Sequence, residues 1–149
     1  MLPRVWLEAF VARAAGDGEG TRRAFARARE WAAANVAQHP DDPAALALLG
    51  LADAGLGHKE DALREGRRAV EILPVTADAV DGPPLVGTLA LIRAWVGEPD
   101  AAMNDLAGLR NLPSGPDYGQ LRYDPAWSVL RGRPDFQAML GQMEPRMEP

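Results

Sequence analysis

Residues 42–74 read DPAALALLGLADAGLGHKEDALREGRRAVEILP, and they decide the fold because they spell two helices with all their punctuation. Asp42 is a helix N-cap with Pro43 at the first helical position, the place where proline's missing N–H costs nothing. Gly57 ends that helix in a left-handed turn, and Pro74 stops the next one. The spacing predicts helix A over 43–56 and helix B over 59–73. Within helix B, Glu60 is placed to pair with Arg64 and Glu65 with Arg68, so its charged side reads as a solvated face.

Leu46, Leu49, Gly50, Gly57, Ala62, Ala69 and Pro74 fall where the thirty-four-residue tetratricopeptide pattern puts its large apolar, small and terminating residues. The stretch therefore resembles a tetratricopeptide repeat (TPR). That resemblance implies an all-α, TPR-like superhelix of antiparallel helix hairpins that works as a protein-interaction scaffold. Composition agrees with the all-α expectation. The chain has 149 residues, is 47 % apolar and only 6 % aromatic, and its apolar content is mostly Ala and Leu, which suits packed helices better than a sheet.

On the amino-terminal side, 3–15 predicts a helix with Val5, Trp6, Ala9, Phe10 and Val11 along one face. The run GDGEG at 16–20 reads as a turn; it lacks the Lys-Ser/Thr of a phosphate loop. A second helix is expected over 21–38, capped by Thr21 and carrying Phe25, Ala28, Trp31, Ala32 and Val36 inward. On the other side, sliding the chain by forty residues aligns Gly57 with Gly97 and Ala62 with Ala102. A further hairpin follows, with one helix over 84–96, capped by Asp81, and another reaching 112. SGPDYGQ is a turn-rich link, and two short helices open at Asp124-Pro125 and Pro134-Asp135. The expected organisation is one domain over 1–149. It comprises a degenerate repeat at 1–40, a full repeat at 41–74, a second clear repeat at 82–113, a capping segment of short helices at 114–140 and a frayed tail at 141–149, about three units in all.

The order of these parts, with PVTADAVDGP, GEPDAA and LRYDPAWSVLRGRPDFQAML after the central repeat, resembles the carboxy-terminal TPR region of bacterial multidomain proteins. In those proteins it follows a serine/threonine kinase, a winged-helix activator or a nucleotide-cyclase domain. The likeness covers roughly residues 18–140. No kinase glycine loop or basic DNA-reading helix is present, so none of those activities is implied here.

A net charge of -5 repels a phosphate backbone, so nucleic acid is not expected as a ligand. Without Cys there is no disulfide, thiolate metal site or thiol nucleophile. Glu8 and Arg13 interrupt the apolar run at the amino terminus, and no segment is long enough to cross a bilayer, so a cytoplasmic location without membrane contact is expected. No cofactor or metal is expected: His39 and His58 fall in turns and read as capping or solvent-exposed. Asp41, Asp42, Asp53, Asp78 and Asp81 accompany no nucleophile and base motif, so the chain is not expected to be an enzyme. Asp53 stands where the repeat prefers a large aromatic, and an Arg of a neighbouring helix, such as Arg93 at the matching place in the next unit, is its expected partner unless it faces water.

The resemblance implies that helix A of each unit lines the concave groove. The groove positions are then Ala44, Ala47, Leu51 and Ala54 in the central unit and Pro84, Gly87, Leu91 and Trp95 in the next. They are small and apolar, and they depart at every position from the Lys, Arg and Asn of the carboxylate clamp of chaperone-binding members. Such a surface either receives an apolar peptide or helix of a partner, or is filled by the chain's own terminal helices. Trp6, Trp31, Trp95 and Trp127 sit at amphipathic positions and read as core. The expected function is a non-catalytic scaffold for a protein or peptide partner, or for another part of its parent chain. The alternative is a homo-oligomer built through the end faces of the array, with Trp6 and Phe10 offered to a second copy.

Overall fold

The computed structural model describes residues 3–145. It is all-α: α1 Arg4–Ala14, α2 Gly18–Gln38, α3 Pro43–Leu56, α4 Lys59–Ile72, α5 Gly82–Trp95, α6 Pro99–Leu109, α7 Tyr118–Tyr123, a 3₁₀ segment Pro125–Leu130 and α8 Pro134–Met143. The first six helices form three hairpins, and these stack. α3 packs against α2 and α5 as well as its own partner α4, and α4 packs against α5.

The central punctuation forms as expected. The Asp42 carboxylate accepts from the N–H groups of Ala44 and Ala45, an interaction worth about 1 kcal/mol. Gly57 takes φ +82°, and Gly97, forty residues on, takes φ +85°, a backbone region that costs glycine little and other residues much. In each turn the second N–H bonds back to a helical carbonyl, His58 to Asp53 and Glu98 to Arg93, so an orphan acceptor is satisfied.

Glycine also sets the spacing of the hairpins. A methyl added at Gly50 would lie 2.9 Å from the Ala62 carbonyl oxygen, so α3 and α4 approach backbone to backbone there. At Gly66 it would lie 2.9 Å from Ile92 Cδ1, because α5 sets Ile92 into the space that a side chain would fill. A methyl at Gly55 would enter the ring of Phe25, and by leaving that space open Gly55 lets α2 lie on α3.

Several boundaries differ from the sequence expectation. α2 starts at Gly18, not at Thr21, because the Asp17 carboxylate caps it by accepting from the Gly20 N–H. Of the GDGEG run only Gly16, at φ +71°, turns the chain. Asp81 makes no side-chain cap; Asp78 accepts from the N–H groups of Val80 and Asp81 instead and folds the linker onto the start of α5. The expected link at 114–120 contains the start of α7, where Asp117 and Gln120 form a reciprocal capping box. On α4, Arg64 pairs with Asp61 and Glu65, and Arg68 with Asp41 and Glu71, in place of the expected Glu60–Arg64 and Glu65–Arg68 pairs. α8 continues through Met143; the part of the expected frayed tail at 146–149 lies outside the described residues.

The main core runs through all three hairpins into the carboxy-terminal segment, where Trp127, Leu130, Phe136 and Met139 are buried. The 3₁₀ segment packs against both α5 and α1.

Candidate functional site

α3 and α5 lie side by side, and the expected groove residues divide by position along them. At the far end, Trp95 is enclosed by its own chain. Phe10 of α1 and Phe25 of α2 meet its ring edge-to-face at 5.9 and 5.6 Å, and its Nε1 donates to the Ala126 carbonyl at 2.9 Å. Ala47 and Ala54 are buried, and Ala44 is exposed on the first turn of α3. At the near end, Leu51, Pro84, Gly87 and Leu91 line an open groove of about 460 Å³, with Phe10 and Trp127 beside them. Leu51 and Leu91 form its floor, being buried from the side, while Pro84 is exposed at its edge. The structure brings together four of the eight expected groove positions at this opening. Sequence reading missed Phe10 and Trp127 there because no local spacing relates α1 or the 3₁₀ segment to α5.

The tryptophans are not one class. Trp6 and Trp127 are buried and Trp95 half-buried, but Trp31 is exposed, so it does not belong to the core as expected. Trp6 packs edge-on to Phe25 at 6.4 Å inside its own chain, which removes it from any end face offered to a second copy.

A second constellation surrounds Asp53. This residue is fully buried on α3, and its partner is an Arg of a neighbouring helix as expected, Arg29 and not Arg93. Arg29 Nε of α2 donates to Asp53 Oδ1 at 2.7 Å, and His58 Nδ1 reaches the same oxygen at 2.6 Å. The turn after α3 places His58 there: its backbone N–H bonds to the Asp53 carbonyl, so the ring returns over the carboxylate. His58 is exposed, as is His39; it makes no side-chain cap and instead meets Asp53 with its ring.

The other oxygen, Asp53 Oδ2, is buried without a partner, as is Glu65 Oε2 on α4. Burial, and next the charge of Asp53, pushes the Glu65 carboxyl up to about 7. A protonated Glu65 carboxyl has an O–H to donate, which a carboxylate lacks. Glu65 is therefore removed from the solvated face expected for α4. Arg93 in turn binds Asp105 of α6 through both carboxylate oxygens, at 2.6 and 2.7 Å, and burial pushes that carboxyl up while Arg93 opposes the shift.

Asp53 has no solvent-facing surface, so the cluster can exchange a proton but gives a substrate no access to that carboxylate. Among the described residues, no three His, Asp or Glu side chains form a group that could hold a metal ion, and no helix is long and apolar enough to cross a membrane. Against known proteins, no family model matches the chain, and neither a curated protein nor a solved structure matches it.

Proposed function

We propose that this chain is a non-catalytic, tetratricopeptide-type scaffold. It holds an apolar helix or extended peptide, from a partner protein or from its own parent chain, in the groove over α3 and α5. The observation that carries this reading is the opening above Leu51, Leu91 and Gly87, flanked by Phe10 of α1 and Trp127 of the 3₁₀ segment. The stacked hairpins, the paired Gly57 and Gly97 turns and the repeat-like residues of α3 and α4 support the tetratricopeptide assignment. The order of the carboxy-terminal motifs supports a place beside a regulatory domain of a bacterial cytoplasmic protein. An apolar floor with a polar edge suits burial of two or three apolar anchors from one helical or extended segment.

Trp95 is the wrong residue for a test because its ring is part of the core. Gly87 is the right one: a methyl there meets only Leu109 Cδ1, at 3.8 Å, so Gly87→Glu places a charge in the groove with little strain. A photo-crosslinking residue at Thr88 is expected to trap one specific partner segment in the source cell, and Gly87→Glu to reduce that adduct about tenfold with helicity retained. The same adducts from a control position at Arg67, on the exposed side of α4, would overturn the reading.

The alternative, a homo-oligomer, is favoured by Leu7 and Val11, which are exposed four residues apart on α1. Light scattering at two concentrations decides between them, and a constant monomer mass rules out self-assembly.

A further inference from the structure

A cleft of about 710 Å³ opens between the α1–α2 turn and the start of the 3₁₀ segment, a size ordinary for small-ligand sites. Three arginines from three separate elements line it: Arg13 of α1, Arg22 of α2 and Arg131, just past the 3₁₀ segment. None of the three pairs with a carboxylate among the described residues, whereas Arg29, Arg93 and Arg133 each do.

Two of these guanidinium groups are already positioned. Arg13 lies over Trp95, its Cζ 4.0 Å from the ring centroid, and Trp95 is fixed by its bond to the Ala126 carbonyl. Stacking leaves the guanidinium edge and its N–H donors available. Arg131 is anchored through Nη2 to the Asp124 carbonyl at 2.7 Å, and its Nε–H is buried without an acceptor. Burial also lowers the pKa of Arg13, as expected for a desolvated cation that lacks a counter-charge. The Thr21 hydroxyl adds a further donor, and one carboxylate, Asp124, faces the three cations with Oδ1 occupied by the Ala126 N–H. Phe10 and the exposed Val11 form an apolar wall.

We infer that this cleft binds an organic anion, an apolar body bearing a carboxylate or phosphate group that the guanidinium edges of Arg13, Arg22 and Arg131 receive. The net charge of -5 repels an extended polyanion, so a compact ligand suits the site better than a nucleic acid. The cleft shares Phe10 and Asp124 with the groove over α3 and α5 but has its own arginines, so the inference stands whether or not that groove holds a peptide.

The test is titration of the full chain at low ionic strength, followed by the NMR signals of the arginine Nε–H groups. The probes are phenyl phosphate, phenylacetate, inorganic phosphate and the neutral benzyl alcohol. Saturable shifts are expected at Arg13, Arg22 and Arg131 and not at Arg67, with phenyl phosphate or phenylacetate binding about tenfold more tightly than inorganic phosphate. The two aromatic anions distinguish the acid group. Arg22→Glu, at an exposed position that leaves the packing intact, is expected to weaken binding about tenfold without lowering Tm. Linear shifts without saturation up to about 10 mM, equal shifts at Arg67, equal binding of benzyl alcohol, or indifference to Arg22→Glu would each overturn the inference.

Discussion

The hairpins α3–α4 and α5–α6 carry ionisable side chains at the same places, forty residues apart, and pair them in opposite ways. Arg93 and Asp105 form a closed ion pair across α5 and α6. Their counterparts Asp53 and Glu65 are both acids, so the central hairpin cannot close the same contact. It takes Arg29 from α2 and His58 from its own turn, and burial beside Asp53 pushes the Glu65 carboxyl up to about 7. Two hairpins of one shape can therefore solve the same burial problem with an internal ion pair or with borrowed cations. The second solution ties the central hairpin to the one before it and gives it a dependence on pH near neutrality.

Arg93→Leu should have the largest effect. It leaves Asp105 mostly buried and uncompensated, with an expected loss of about 4 kcal/mol in urea unfolding. A loss under about 1 kcal/mol would mean that the carboxyl simply takes a proton, as its counterpart does.

Glu65→Gln tests the raised Glu65 carboxyl. From about pH 4.5 to 7 the folded chain keeps a proton on Glu65 that the unfolded chain releases, so stability falls as pH rises through that window and levels off above it. The variant should match the wild type at pH 5, exceed it by roughly 2 kcal/mol at pH 8, and flatten the slope between. Equal pH profiles for the two proteins would refute the arrangement.

Packing offers two smaller contrasts. Gly50 lies against the Ala62 carbonyl, while its counterpart forty residues on is Ala90. Gly50→Ala should cost about 2 kcal/mol by thermal unfolding despite the better helix propensity of alanine, since neither backbone can yield easily. Ala90→Gly should cost about 1 kcal/mol, through backbone entropy and one lost methyl. If both substitutions proved neutral, the two hairpins would not differ in how closely their helices approach.

Much of the fold was legible in the residues themselves, and the reason is range. The Asp42 cap, the Gly57 and Gly97 turns and the stop at Pro74 depend on atoms within one helical turn. The missed helix start at Asp17 and the capping box at Asp117 and Gln120 were equally local, and a closer reading of D-x-x-Q could have found the latter. The candidate site was legible only in part. Leu51, Leu91, Pro84 and Gly87 do face one opening, but the closure of its far end by Phe10, Phe25 and the 3₁₀ segment leaves no trace in local spacing.

By itself, then, the sequence determined where each central helix starts and stops and that the helices pair as hairpins, because caps, left-handed glycines and apolar periodicity act over a few residues. Only the tertiary structure decided which charges meet and which apolar surface stays open. Arg29 reaches Asp53 across twenty-four residues, and Ala126 reaches Trp95 across thirty-one. Contacts of that range depend on how whole helices stack, and a buried charge or indole N–H takes whichever partner the stacking brings within hydrogen-bonding distance.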